Sequence, residues 1–126
     1  MTRSFSTLFV ALVLVLVAGA QAASASTGVV TEFSTGITPG SAPWGIAAGP
    51  DGNLWFTENA GNRIGRITPT GTVTEFSAGI TLASHPYGIA AGPDGNLWFT
   101  EVNGNRIGRI TPTGTVTEFS AGITPG

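Results

Sequence analysis

Two glutamates, Glu58 and Glu101, close the same pentapeptide, Leu-Trp-Phe-Thr-Glu, and stand 43 residues apart. A carboxylate at the end of a strand can reach the face where neighbouring strands end, and its oxygens suit hard cations. Their position at the end of a strand therefore makes these two residues candidate metal ligands. The alternative is structural, because buried carboxylates also take part in ion-pair networks. Each glutamate would then accept a hydrogen bond from an arginine or a backbone N–H of a neighbouring unit.

The chain has one histidine, His85, which Pro86 follows. An imidazole can act as a general base or bind a metal near neutral pH, so His85 is the candidate catalytic residue. The residue before a proline favours an extended backbone, which predicts an extended entry segment at His85. The competing interpretation is an exposed loop histidine without a chemical role.

Two aromatic residues, Trp44 and Tyr87, also stand 43 residues apart, each between a proline and a glycine. Their equivalent positions predict that both side chains face the same central surface. Aromatic rings on such a surface can stack on an apolar or sugar ligand. Alternatively, the two rings fill a central channel and bind nothing.

Other kinds of chemistry are excluded by composition. The chain lacks cysteine, and it shows no Ser-His-Asp set, phosphate loop or zinc spacing. Asp51-Gly52-Asn53 and its copy at 94–96 lack the spaced oxygen ligands of a calcium loop and read as hairpin turns. The formal net charge is −2, without any lysine, which argues against nucleic acid or an anionic membrane as a partner.

The elements that would position these residues form an internal repeat. Residues 29–71 and 72–114 are near-identical copies, and a third copy begins at Thr115. The copies differ at eight aligned pairs: Val29/Thr72, Thr35/Ala78, Pro39/Leu82, Gly40/Ala83, Ala42/His85, Trp44/Tyr87, Asn59/Val102 and Ala60/Asn103. A period in the low forties fits propeller blades or paired helices.

The local pattern favours strands. Each repeat holds four short segments rich in β-forming residues, and turns containing glycine, proline or asparagine separate them. In the first repeat we predict strands over 45–48, 54–58, 63–68 and 72–76. Four antiparallel strands joined by hairpins make one propeller blade, so the fold class is all-β, built from β-propeller blades with a 43-residue repeat.

Several side chains are expected to hold the blades together. One ring of each Trp-Phe pair on the second strand packs between blades, and Ile64, Ile67 and Phe76 are further core candidates. Gly45 and Gly88 allow close backbone approach. The third strands carry four arginines: Arg63, Arg66, Arg106 and Arg109. The two arginines of one strand are three residues apart and therefore point to opposite faces. We expect them to pair with glutamates between blades.

The number of blades is too small for a closed ring. Residues 23–126 contain an outer strand over 29–33, a blade over 45–76 and a second blade over 88–119, and they end within a third repeat. Repeat stacks generally need about three units to bury a continuous core. The chain is therefore either a piece of a longer propeller or a building block of a homo-oligomer that completes a ring.

The repeated motif resembles the virginiamycin B (streptogramin) lyase family. The residues that carry the resemblance are P-x-G-I-A-A-G-P-D-G-N-L-W-F-T-E, then G-N-R-I-G-R-I-T-P and G-x-V-T-E-F. The resemblance implies a seven-bladed propeller that opens a cyclic depsipeptide antibiotic at its ester linkage. The implied reaction is an elimination that uses Mg²⁺ and a histidine base.

The resemblance also implies where the site lies. It places the base between proline and glycine of P-x-G-I, where this chain has Trp44 and Tyr87. One metal-binding glutamate would stand two residues earlier, at Ala42 and His85, and another would close L-W-F-T-E, at Glu58 and Glu101. The implied partner is a peptide antibiotic. The alternative from the residues alone is a secreted binding or scaffold propeller that binds another small molecule and has no catalytic activity.

The first 22 residues read as a secretory signal. Arg3 supplies a positive start, residues 8–18 form an uncharged apolar run, and Ala20-Gln21-Ala22 provides small residues for cleavage. The run is shorter than the roughly 20 residues that span a bilayer. We therefore predict cleavage after Ala22, with Ala25 as a second candidate, and a secreted or periplasmic mature chain without a membrane partner. The alternative is a retained anchor.

Overall fold

The computed structural model describes residues 23–126, and the predicted signal segment over 1–22 lies outside the described residues. Glu32–Gly126 form one compact unit. This unit contains two four-stranded sheets, which confirms the all-β prediction and the four antiparallel strands per repeat. Within 23–126, no helix has the length and apolarity that a membrane span requires.

Each sheet is an antiparallel meander in which strands neighbouring in sequence are hydrogen-bonded. The first sheet comprises β1 (Pro43–Ala48), β2 (Leu54–Glu58), β3 (Arg63–Ile67) and β4 (Val73–Phe76). The second comprises β5 (Pro86–Ala91), β6 (Leu97–Glu101), β7 (Arg106–Ile110) and β8 (Val116–Phe119). The register repeats as well, since Trp55 faces Arg66 as Trp98 faces Arg109.

The predicted turn at Asp51 closes the first hairpin. Gly52 has a φ of 79°, which favours glycine. The carboxylate of Asp51 accepts hydrogen bonds from the backbone N–H and the side-chain amide of Asn53. It also accepts one from the indole N–H of Trp55 at 3.0 Å. The turn is thus tied to the strand that follows it, and Asp94 repeats the arrangement in the second sheet.

The hydrophobic core lies between the two sheets. It contains Trp55 and Ile64 of the first sheet with Leu97, Phe99 and Ile110 of the second. Successive strand residues point to opposite faces. As predicted, one aromatic ring of each Trp-Phe pair therefore enters this layer. Ile64 is buried as expected, but Ile67 is only half-buried.

The strand predicted over 29–33 is not formed in the structure. The equivalent residues, β4 and β8, pair with the third strand of their own sheet. Among the described residues no third strand precedes residue 29, so this segment has no hydrogen-bonding neighbour. The first strand of each sheet also begins two residues earlier than predicted, because Pro43 pairs with Glu58 across a β-bulge.

The expectation that the arginines pair with glutamates between blades is wrong. Arg63 lies 3.9 Å from Glu58 and from Glu75, both in its own sheet. Arg66 does cross to the second sheet, but it donates to the carbonyl oxygen of Pro112 at 3.1 Å. The register brings Glu58 directly opposite Arg63, which explains why the ion pairs form within a sheet.

Candidate functional site

Trp44 and Tyr87 lie side by side on β1 and β5. Their ring centroids are 4.9 Å apart with an interplanar angle of 34°. Both side chains are exposed, with relative accessibilities of 62% for Trp44 and 42% for Tyr87. The structure thus places the two residues that occupy the predicted base position together, as an open aromatic surface.

A β-bulge in each first strand positions these rings. The pairing of β1 with β2 is regular from Ile46 onward and shifts between Pro43 and Ile46, which leaves Trp44 in the irregular stretch. Bulges bend a strand and re-aim its side chains. The second sheet repeats the shift between Pro86 and Ile89.

A buried threonine holds the two bulges together. The hydroxyl of Thr57 donates to the carbonyl oxygen of Tyr87 at 2.7 Å and accepts from the backbone N–H of Gly45 at 2.9 Å. A Cβ atom at Gly45 would lie 2.7 Å from that same carbonyl oxygen. This glycine therefore permits the close approach that the sequence predicted. At Gly88 no such close approach is found, because an added Cβ atom would meet only the Thr100 hydroxyl, at 3.4 Å.

His85 lies against two asparagines of the first sheet. Its ring Nδ1 is 3.4 Å from Oδ1 of Asn59, and its backbone N–H donates to Oδ1 of Asn62 at 3.1 Å. The expected extended backbone is wrong, because φ at His85 is 55°. Ala42, its counterpart in the first repeat, has a φ of 52°. The unusual backbone hence belongs to the repeat and not to the histidine.

Glu58 is fully buried at the end of β2, and neither of its carboxylate oxygens has a hydrogen-bond partner. Burial raises the pKa of this carboxyl, and the nearby charge of Glu75 raises it further, while Ser41 and Arg63 oppose the change. The guanidinium of Arg63 is its closest counterion, at 3.9 Å. Glu101 and Arg106 repeat the arrangement at 3.8 Å.

Glu75 lies on the other side of Arg63, and its pKa shifts in the opposite direction. Its carboxylate accepts hydrogen bonds from the backbone N–H and the hydroxyl of Thr38, at 2.6 and 2.7 Å. Partial burial raises the pKa of Glu75, but these hydrogen bonds outweigh it and the pKa is lowered. Of the two carboxyls beside Arg63, Glu75 is thus the stable anion and Glu58 binds its proton more tightly.

The two candidate magnesium ligands, Glu58 and Glu101, belong to no three-residue cluster of ligating side chains within 23–126. Mg²⁺ requires near-octahedral oxygen ligation, commonly with one or two carboxylates. Glu58 and Glu101 belong to separate sheets, and each faces an arginine. Within 23–126, no three residues among histidine, cysteine, aspartate and glutamate come together as a metal-binding group.

Sequence reasoning missed the serines beside the glutamates. Ser41 and Ser84 are almost fully buried, and the hydroxyl of Ser41 donates to the carbonyl oxygen of Thr38 at 2.7 Å. A Cβ at Gly61 would lie 2.9 Å from the Ser41 hydroxyl. Both repeats carry the same serine and the same glycine, and this identity could have pointed to the buried serines.

The sequence of this chain matches the model of the Virginiamycin B lyase family over residues 19–84 and again over 79–125. The chain belongs to this family. A virginiamycin B lyase of Bordetella pertussis is 52% identical to it over 40 residues, which are 32% of this chain and 13% of that protein.

Solved structures show that the virginiamycin B lyase family shares this architecture. A virginiamycin B lyase from Staphylococcus aureus superimposes with a TM-score of 0.73 at 50% identity, covering 78% of this chain and 32% of that one. A streptogramin B lyase superimposes with a TM-score of 0.72 at 48% identity, with the same coverage of both chains. The third structure is a catalytically inactive histidine-to-alanine variant of the S. aureus enzyme, solved with quinupristin. It superimposes with a TM-score of 0.73 at 48% identity, covering 80% of this chain and 33% of that one. This chain therefore spans about a third of the length of these solved proteins.

Proposed function

We propose that this chain is an exported part of a streptogramin lyase-like propeller. The supporting observation is the match of both sheets to a virginiamycin B lyase at 50% identity. The proposed activity is the Mg²⁺-dependent opening of a cyclic depsipeptide antibiotic. Because the chain spans 32% of that relative, the activity is proposed for the complete ring.

The proposed reaction is an elimination. A base removes a proton from carbon, a double bond forms, and the ester C–O bond breaks to release a carboxylate, so the product is an isomer of the substrate. Trp44 and Tyr87 are exposed where this substrate would approach. His85 is the only imidazole of the chain, and its ring lies against the amide of Asn59. The base at the P-x-G-I position is proposed for another blade of the complete ring, whereas Glu58 and Glu101 stay the candidate metal ligands of this chain.

A second candidate function is ligand binding without catalysis, which the Trp44–Tyr87 pair favours. Two exposed rings 4.9 Å apart and tilted by 34° provide an apolar surface that also carries a hydroxyl and an indole N–H. Such a surface suits an aromatic or apolar group of a peptide antibiotic, or the apolar face of a sugar.

The deciding experiment incubates quinupristin with the full chain and with the complete product of the reading frame that encodes it. Opening by elimination leaves the mass unchanged, whereas hydrolysis adds one water, and liquid chromatography with mass spectrometry separates these products. Chelator-sensitive formation of the isomer supports the lyase. Binding without any opening supports the second candidate, and absence of turnover by a product that carries a P-H-G-I histidine overturns the lyase.

Export is part of the same proposal. Expression of the full chain in a bacterial host should yield a mature protein that begins at Ala23 outside the cytoplasm. N-terminal sequencing of the exported fraction measures this directly. A chain that keeps Met1 and stays with the cells contradicts it.

A further inference from the structure

Asn103 is the one asparagine of the chain that a glycine follows. A residue with a side chain follows each of the other five asparagines: Leu54, Ala60, Arg63, Leu97 and Arg106. The side-chain amide of an asparagine can be attacked by the backbone nitrogen of the next residue, and a side chain on that residue hinders the attack. Glycine has no Cβ and the widest choice of backbone conformations. Asn103-Gly104 is therefore the dipeptide of this chain that is most open to this reaction.

The side chain of Asn103 is also the least constrained of the asparagine side chains. Asn103 is exposed in the turn between β6 and β7, and its side-chain amide makes no hydrogen bond to any residue that the structure describes. The amide groups of the other five asparagines all donate hydrogen bonds, to an aspartate or to a backbone carbonyl oxygen: Asn53, Asn59, Asn62, Asn96 and Asn105. The amide of Asn103 is thus free to turn toward its own main chain.

Exposure is a property of this turn in both repeats. The counterpart of Asn103 is Ala60, which is exposed although the second sheet packs beside the first. The two turns are also held in the same way, since Asn62 donates to the carbonyl oxygen of Thr81 at 3.0 Å and Asn105 to that of Thr124 at 3.1 Å. A neighbouring sheet therefore leaves this position accessible to water.

The backbone nitrogen that would attack is held differently in the two repeats. In the first repeat, the N–H of Gly61 donates to the carbonyl oxygen of Ser41 at 3.0 Å. In the second, the carbonyl oxygen of Ser84 accepts instead from the N–H of Asn103, at 3.1 Å. The N–H of Gly104 has no acceptor among residues 23–126, so it breaks no hydrogen bond when it reacts.

We propose that Asn103 is a site of spontaneous deamidation. The nitrogen of Gly104 bonds to Cγ of Asn103, and the side-chain nitrogen leaves as ammonia with the proton that Gly104 gives up, which closes a five-membered succinimide ring. Water then opens the ring at either of its two carbonyl groups and leaves aspartate or isoaspartate. One water is consumed, one ammonia is released and nothing is oxidised. The inference does not depend on the lyase activity.

The product alters a turn that contacts the candidate site. The N–H of Val102 donates to the carbonyl oxygen of His85 at 3.2 Å. A Cβ atom at Gly104 would lie 2.8 Å from Oε2 of the buried Glu101. Deamidation adds a negative charge to a chain whose formal net charge is −2, and isoaspartate lengthens the main chain of the turn by one carbon. Age thus changes the second repeat and leaves its near-identical neighbour as it was.

The test follows the full chain over time in mildly alkaline buffer at body temperature. Digestion with trypsin and tandem mass spectrometry report on each asparagine separately, because deamidation replaces an amino group by a heavier hydroxyl. We expect Asn103 to react at least about tenfold faster than any other asparagine, which is a difference of roughly 1.4 kcal/mol in activation free energy. A rate at Asn103 no higher than at the other asparagines overturns the proposal.

Asn103→Ala is the matched control, because it copies the first repeat, which has Ala60 at this place. The variant should keep the thermal unfolding of the wild type and should lack the acidic species that isoelectric focusing shows in the aged wild type. Formation of that species at the wild-type rate overturns the proposal.

Ala60→Asn in the Asn103→Ala background tests the contribution of the fold. It moves the same dipeptide to the turn where the N–H of Gly61 is bound to Ser41. In the folded chain its rate should be several-fold lower than that of Asn103 in the wild type, and the two rates should converge in urea. Equal rates in the folded chains overturn the role assigned to the free N–H of Gly104.

Discussion

The indole Nε1 of the fully buried Trp55 donates a hydrogen bond of 3.0 Å to Oδ1 of Asp51, a carboxylate at the surface. Asp51→Ala removes the acceptor and leaves a buried N–H unpaired, which costs about 1–3 kcal/mol. Urea unfolding at fixed protein concentration should show a loss of that size at pH 7.

The matched control is Asp94→Ala. Asp94 accepts the same hydrogen bond from Trp98 at 2.9 Å, but Trp98 is only half-buried and its indole N–H can turn to water. We expect a clearly smaller loss than for Asp51→Ala. Equal losses in the two variants would show that burial of the indole does not set the cost.

Acid should diminish the effect of Asp51→Ala. Burial raises the pKa of Asp51, but the hydrogen bonds from Trp55 and Asn53 outweigh it and lower the pKa below the usual value of 3.8. A carboxyl with a lowered folded-state pKa stabilises the fold above its unfolded pKa, and this contribution is lost as the pH falls through the folded value. The difference between variant and wild type should therefore narrow below about pH 4.

Glu58→Gln should stabilise the fold at neutral pH. Burial raises the pKa of Glu58 above 4.5, so the ionised form opposes folding above the folded pKa. This penalty disappears as the pH falls through that value. We expect a gain on the order of 1 kcal/mol at pH 7 that vanishes in acid, measured by thermal unfolding across a pH series.

Glu75→Gln is the control of opposite sign. The pKa of Glu75 is lowered by its hydrogen bonds from Thr38, so its ionised form stabilises the fold above the unfolded pKa and the benefit is lost in acid. Loss of these charge-assisted bonds should cost about 1 kcal/mol at pH 7. If both glutamines shift stability in the same direction, the assignment of the proton to Glu58 is wrong.

Gly45→Ala should destabilise the chain by about 1–3 kcal/mol, the usual cost of overpacking. The added carbon would lie 2.7 Å from the carbonyl oxygen of Tyr87 and would push the sheets apart. Gly88→Ala is the matched comparison within one molecule. The added carbon of Gly88→Ala would have the Thr100 hydroxyl as its closest neighbour, at 3.4 Å, an ordinary contact, so the free energy of unfolding should be unaffected.

Trp44→Ala and Tyr87→Ala should each weaken binding of quinupristin. An aromatic contact contributes about 0.5–1.5 kcal/mol, which corresponds to a roughly 2- to 10-fold higher Kd. Isothermal titration calorimetry measures this without depending on tryptophan fluorescence. Leu82→Ala, remote in an exposed loop, should retain the wild-type Kd, and unchanged Kd values for both aromatic variants would remove these residues from the ligand surface.

The strands could be predicted because each hairpin is favoured by residues within its own short segment. The Asp51-Gly52-Asn53 turn and the β-forming residues 54–58 act over a few positions. The failed strand over 29–33 has the same local pattern as β4. Its pairing depends on a third strand beside it, and a local pattern does not contain that information.

Burial could not be predicted for the same reason. Leu54 and Leu97 occupy identical sequence contexts, yet only Leu97 has a sheet packed on its side. The partner of Arg63 was missed because the register, which sets Arg63 opposite Glu58, depends on hairpin length and not on residue type. The proximity of Trp44 and Tyr87, in contrast, follows directly from their equivalent places in adjacent repeats.

One of the few differences between the repeats adds a hydrogen bond to the contact between the two sheets. Asn59 donates its side-chain amide to the carbonyl oxygen of Pro86 at 3.2 Å, across the internal contact. Val102, its counterpart, is 58% exposed and has no donor. The two sheets of one chain also meet at the millimolar effective concentration that a short tether provides. Docking of the two sheets on each other should therefore be fast once both have formed, and Asn59 gives their contact a hydrogen bond that valine at the same place could not supply.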